Sequence, residues 1–241
     1  MSRFFKAGCI AALAYASSLH AEEVLPLSNS QVTVDTMAEL LAGPGVSVSG
    51  ATYSTSYRVP VGWFDSVPNP QQGGQFSGYG SLFGDTFDSG VILSTGDVES
   101  VVGSNDTSDT SKSWFRSRVD DPDLGNGLYD VVKFSFDVIP ENDVLIIDFI
   151  FGSEEYLEYV GDSYTDLARV LVNGNNCALT PAGDEVRINN IHSLDLPAPQ
   201  GGNDYPNNAD GVSNSGIYVD NTNGEINTAV SYTHLTLPTR G

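Results

Sequence analysis

Two stretches of the chain gather hard oxygen donors at short spacing. The first is Asp120–Gly127, DDPDLGNG, with Asp120, Asp121, Asp123 and Asn126. The second is Glu154, Glu155, Glu158, Asp162 and Asp166. Carboxylates, amides and loop carbonyls at such density suit Ca2+, which takes about six to eight oxygen ligands in flexible geometry. The competing reading of each stretch is a solvated acidic loop. Glu154 and Glu155 favour a cation, because adjacent bare carboxylates at the end of an apolar strand would repel each other. The expected metal ligands are Asp123, Glu154, Glu155, Asp162 and Asp166, with Ca2+ as the expected cofactor.

Other chemistries fit less well. A closed zinc site needs several soft ligands, and the chain beyond its first 21 residues offers only His192, His234 and Cys177. A Ser-His-Asp triad would have to use His192, and nothing near it forms a nucleophile elbow. A glycosidase needs two carboxyls roughly 5–10 Å apart. Neighbours on extended chain point to opposite faces, so Glu154 and Glu155 cannot make that pair together. No catalytic residue is assigned, and no glycine motif for a nucleotide cofactor is present.

The elements that must position these acids are strands. Val144–Tyr156, VLIIDFIFGSEEY, holds the most apolar run after the N-terminal leader. It is short, β-branched and aromatic, which predicts a strand covered on both faces. Tyr129–Val138 alternates, with Val132, Phe134, Phe136 and Val138 on one side and Lys133, Ser135 and Asp137 on the other. That predicts a half-buried strand. Pro140–Asp143 joins the two, and an antiparallel hairpin is expected. Further strands are predicted over Val46–Tyr53, Gly90–Thr95, Leu167–Val172, Val186–Ile191 and Ile217–Val219, with a tight turn at Asn173-Gly174. A single helix is expected over Asp35–Ala42. Thr33 or Asp35 caps it, Met37, Leu40 and Leu41 share a face, and Gly43-Pro44-Gly45 ends it. The aromatics of Arg58–Gly84, among them Trp63, Phe64, Phe76, Tyr79 and Phe83, read as rings folded onto a sheet or as a carbohydrate-stacking surface. The fold class is all-β and mainly antiparallel, a β-sandwich or jelly-roll-like domain with one short N-terminal helix.

Composition bounds the function. With 241 residues and a formal charge of −21, the chain fits one β domain and is not built for nucleic acid or an anionic membrane surface. Arg3 and Lys6 precede the apolar segment Ala7–Leu19, which is too short to span a bilayer. Residues 1–21 therefore read as a secretory signal peptide. Its removal takes away both basic residues and Cys9. Cys177 is then the remaining thiol, so no internal disulfide can form; it is expected to be a small buried residue. No other segment is long enough to cross a membrane.

The run from Asp121 to Pro181 resembles the bacterial choice-of-anchor L domain. The resemblance rests on the Asp123-Leu124 turn, the Phe-rich strand Phe134–Pro140, the Ser153–Tyr156 segment SEEY, Asp166, and the Asn173-Gly174 turn. Upstream, the helix with Gly43 and Gly45, the strand Val46–Tyr53 and the segment GVILSTGD at Gly90–Asp97 also fit. Thr165 and Leu167 replace an Asn and an aromatic of the family pattern. The resemblance implies a secreted or surface-displayed bacterial β domain without enzymatic activity, attached through a C-terminal anchor. The family's closing segment is missing here. Ser231–Thr239, SYTHLTLPT, breaks the preceding pattern and reads as a translated sequencing adapter. The expected organisation is thus a signal peptide at 1–21, one domain at 22–230 that is incomplete at its C-terminus, and a non-native tail at 231–241.

These readings converge on a non-enzymatic secreted or cell-surface module. Its expected role is binding, adhesion or matrix formation, toward an extracellular glycan or protein, and the surface anchor is expected in the missing C-terminus. The alternative is a secreted carbohydrate-active hydrolase using acidic residues.

Overall fold

The computed structural model describes residues 22–55, 68–83, 87–104, 118–153, 156, 160, 166–192, 214–219 and 229–238. The described residues form an all-β, mainly antiparallel architecture made of several small sheets. By their contacts the residues group into two compact units. One takes the described residues within Met1–Val102, Ser111–Ile147 and Thr236–Gly241, the other those within Gly103–Thr110 and Asp148–Leu235.

The first unit opens with strand β1 (Glu23–Pro26) and helix α1 (Val34–Leu41). Thr33 caps α1 reciprocally with Thr36. The Thr33 hydroxyl accepts from the Thr36 amide at 3.1 Å, and the Thr33 amide donates to Thr36 Oγ1 at 2.9 Å. Two otherwise orphaned amides are satisfied in this way. Met37 and Ala38 turn fully inward. Strand β2 (Val46–Thr55) follows, then β3 (Gly73–Ser77), the single helical turn α2 (Gly80–Phe83) and β4 (Ser89–Leu93). β1, β3 and β4 form one antiparallel sheet in that order. Gly73 is required by close approach: a Cβ there would sit 2.6 Å from the Tyr53 ring. That ring is buried, and its hydroxyl donates to the Asn69 carbonyl at 2.7 Å.

Strands β5 (Val119–Asp121) and β6 (Gly125–Leu128) make a short hairpin around the first acidic stretch. β7 (Val132–Pro140) and β8 (Val144–Ser153) are the two long strands expected from the pattern. They do not form a hairpin with each other. β7 pairs antiparallel with β2, from Val46 opposite Pro140 to Thr55 opposite Val132. β8 lies instead beside β14 (Ala229–Pro238), which pairs with β13 (Tyr218–Val219). The reason is visible at the connection. The Glu141 amide donates to the Gly45 carbonyl at 2.8 Å, so the ladder to β2 continues past Pro140 and holds the linker away from a tight return. β14 runs through the stretch expected to be non-native and sets Ser231 opposite Tyr218.

The second unit contains the end of β8 and the strands β9 (Leu167–Ala168), β10 (Leu171–Val172), β11 (Asn175–Asn176) and β12 (Val186–Arg187), together with β13. The strand expected over 167–172 is divided because its halves take different partners: β9 pairs with β12 and β10 with β11, a ladder that the Cys177 amide extends by donating to the Val170 carbonyl at 2.8 Å. β10 and β11 join through Asn173 and Gly174, both left-handed with φ of 50° and 81°, the conformation of a two-residue hairpin turn. The strand expected over 186–191 lasts two residues and tightens into a 3-10 turn at Ile188–Asn190. The Asn190 side chain holds that turn by donating to the Glu185 carbonyl at 3.0 Å. Phe151, Tyr156, Val160, Ala178, Val186, Ile188 and Ile191 form the core of this unit.

Candidate functional site

The two acidic stretches are built differently. In the β5–β6 hairpin the acids are consumed by the turn itself. Asp121 Oδ1 accepts from the amides of Asp123 at 2.9 Å and Leu124 at 3.1 Å, and Asp120 Oδ1 accepts from the Gly127 amide at 3.0 Å. Lys133, from β7, places its ammonium 3.2 Å from Asp121 Oδ2 and 2.5 Å from Asp123 Oδ2. Burial alone would raise the Asp121 carboxyl, but the Asp123 amide, Lys133 and the Leu124 amide outweigh it and hold it below its usual value. The hydrogen bond to Asp123 raises the Lys133 ammonium against some desolvation.

Asp123 is therefore placed against a resident protein cation. A metal ion there would have to displace Lys133. The alternation of β7 puts Lys133 on its outward side, and only the fold folds the acidic hairpin over it. The sequence signal that was available is the scarcity of lysine: a lone Lys three residues after Asp130, close behind an aspartate cluster, invites pairing.

At the end of β8 the chain forms a polar pair between a buried serine and a half-buried aspartate. Ser153 is buried, and its hydroxyl donates to Asp166 Oδ2 at 2.7 Å. Strand alternation explains the placement. Ala168 stands opposite Val186, which is wholly buried, and Asp166, two residues before Ala168, shares that inward side. Burial raises the Asp166 carboxyl above its usual value, and the Ser153 bond pulls it partly back. The Asp166 carbonyl accepts from the Ile188 amide at 3.3 Å.

Tyr156 is buried beside them, with its ring 5.2 Å from that of Tyr218 in an edge-on arrangement. Burial, helped by Tyr218 and Asp166, pushes its phenol far above the ordinary tyrosine range. Of the residues expected as ligands, Glu154, Glu155 and Asp162 lie outside the described residues, as does Glu158. The structure thus places Asp123 and Asp166, each against a different protein partner. Among the described residues no group of three or more His, Cys, Asp or Glu is arranged to hold a metal ion.

Cys177 is half-buried rather than buried, with its thiol 3.4 Å from the Asn175 carbonyl; the β10–β11 hairpin carries it toward the surface. Among the described residues no helix is long and apolar enough to cross a membrane.

With this geometry in hand, a family comparison identifies the chain. The family model of the Choice-of-anchor L domain matches residues 26–238. No curated protein and no solved structure matches at significant similarity.

Proposed function

The chain belongs to the choice-of-anchor L family, and from that premise we propose that it is a non-enzymatic binding module held outside the cell. Membership ties it to secreted or surface-associated proteins. The finer reading is ours: residues 1–21 are a cleaved leader, an anchor follows the domain, and the domain meets an extracellular glycan or protein in adhesion or matrix formation.

The observation that carries the non-enzymatic part is the commitment of Asp123 and Asp166, the two expected ligands that lie among the described residues. Asp123 is neutralised by Lys133, and Asp166 is hydrogen-bonded by Ser153. A carboxyl that works on a glycosidic bond must reach substrate with its oxygens uncommitted; Asp123, though its side chain is 43% exposed, is engaged by Lys133, and the half-buried Asp166 is engaged by Ser153. Calcium enters the reading at Glu154, Glu155, Asp162 and Asp166. A cation beside Asp166 would offset the burial that disfavours its charge. Asp123 supplies a ligand only if Lys133 gives way.

One observation favours the hydrolase alternative. A carboxyl raised by burial, as Asp166 is, suits a proton donor. The test of both readings is to express the gene with its leader, fractionate the cells, and incubate the exported chain with a panel of glycans and matrix proteins. Retention on a ligand without product release is the expected result. Release of reducing ends that stops in Asp166→Asn would replace the binding reading with the enzyme.

A further inference from the structure

The hairpin of β5 and β6 carries a cation that pairs with no carboxylate among the described residues. Lys133 holds Asp121 and Asp123, while Arg169 and Arg187 share Glu185 at 2.5 and 2.9 Å. Arg118 pairs with no described carboxylate. Its Nε donates instead to the Tyr129 hydroxyl at 3.0 Å, and its guanidinium carbon lies 5.8 Å from the centroid of the same ring.

The backbone sets this up. Val119 stands opposite Leu128, so Arg118 and Tyr129 are the next cross-strand neighbours at the open end of the hairpin. Arg118 is exposed, and Tyr129 remains 46% exposed although its hydroxyl is held. The bond uses Nε, and among the described residues no acceptor takes the two terminal amino groups of the guanidinium. Behind this pair the hairpin is fixed by the Asp120–Gly127 bond and the Lys133 bridge. The result is an open aromatic face beside a planar cation, with both held in place before any ligand arrives.

We propose that Arg118 and Tyr129 form a docking platform for a uronate unit of an extracellular acidic polysaccharide. This rests on the reading of the chain as a binding module and names its ligand class. A sugar ring covers the open tyrosine face with its C–H side, and the carboxylate on that ring takes parallel N–H bonds from the guanidinium. The two features are adjacent, as a sugar ring and its own carboxylate are. An aspartate or glutamate side chain would satisfy the cation but bring no ring to cover Tyr129. A neutral sugar would cover Tyr129 and leave the cation unused. The strongly acidic chain repels a polyanion at long range, and physiological salt screens this beyond about 8 Å. Recognition therefore depends on the local contact.

The test uses the full chain in EDTA at physiological ionic strength, which removes any calcium bridge between two acidic polymers. Oligogalacturonate is titrated against the parent, Arg118→Gln, Tyr129→Leu and, as a charge control, Arg187→Gln; neutral galactose oligomers are the comparison ligand. The parent and Arg187→Gln are expected to bind. Arg118→Gln and Tyr129→Leu are each expected to bind about tenfold or more weakly, with melting temperatures close to the parent's. The neutral oligomers should bind as weakly as the variants do. No binding by the parent, equal binding by Arg118→Gln, or an equal loss in Arg187→Gln would overturn the platform. Retention of some other glycan through neither residue would overturn the platform and leave the binding module standing. Glycan cleavage would overturn both.

Discussion

The Ser153 hydroxyl donates to Asp166 Oδ2 at 2.7 Å, and this one bond ties the end of β8 to the start of β9. It places a carboxyl in the core side of its unit with a neutral donor as its described side-chain partner. Burial disfavours the charged form there, and the hydrogen bond only partly compensates.

The pH dependence has a definite sign. The folded state binds the Asp166 proton more tightly than the unfolded state does. The associated stability is complete below the ordinary Asp value, about 3.9, and is lost as pH rises through the raised folded value. Asp166→Asn keeps the shape and cannot ionise. In EDTA it is expected to be more stable than the parent at neutral pH, with the gap closing in acid. Denaturant titrations across that range check it; a variant less stable at neutral pH in EDTA would refute the buried-carboxylate account. Ser153→Ala leaves the carboxyl without its donor and is expected to cost about 1–3 kcal/mol.

Calcium has an opposite signature. If the acidic stretch binds the ion, calcium at about 100 times its Kd adds about 2.7 kcal/mol to the parent. Asp166→Asn should gain less, so its rank against the parent reverses on moving from EDTA to calcium. Melting curves in both conditions decide it. A midpoint that ignores calcium and EDTA alike removes the metal from the proposal.

Lys133→Met leaves Asp121 and Asp123 without their shared counter-charge. The pair is partly exposed, and screening limits its worth, so a loss of about 1 kcal/mol is expected, with part of it recovered at high salt. Asp121 contributes in the usual carboxylate sense. Its stabilisation is present above the unfolded pKa and fades as pH falls through the lowered folded value. Salt titration of the melting midpoint in parent and variant provides the check.

Gly73→Ala drives a methyl group into the Tyr53 ring, and overpacking of this kind costs about 1–3 kcal/mol. Tyr53→Leu in the same chain opens the space but removes the Tyr53–Asn69 bond. The double variant should therefore be less destabilised than the two single losses added together. A double-mutant cycle by chemical denaturation measures that coupling; strict additivity would mean the contact is relieved elsewhere.

What was legible in the sequence was local. Thr33 and the spacing of Met37, Leu40 and Leu41 announce α1, whereas the reciprocal partner Thr36 is seen only in the structure. Val144–Phe151 reads as a strand from its β-branched run, and Asn173-Gly174 reads as a turn because both residues tolerate left-handed backbone. Partner choice was not legible. β7 and β8 look like a hairpin because the linker is short, yet β7 is claimed by β2 from far upstream, and no local pattern encodes that preference. Alternation puts Lys133 on the side of its strand opposite Phe134 and Phe136, and says nothing of what folds over it. Asp166 was marked by the family resemblance and by the acidic run, while its partner Ser153 carried no chemical signal of its own.

The β2–β7 ladder has a consequence for how the chain is made. Thr52 and Ser135, whose hydroxyls meet at 2.8 Å across it, are 83 residues apart. The earlier strand emerges from the ribosome long before its mate exists, and loop closure over that span slows the encounter further. Until β7 is made, β2 carries an unpaired edge of the kind that invites self-association. The unpaired interval lasts until the chain has been made through residue 140, and only then can the long ladder close.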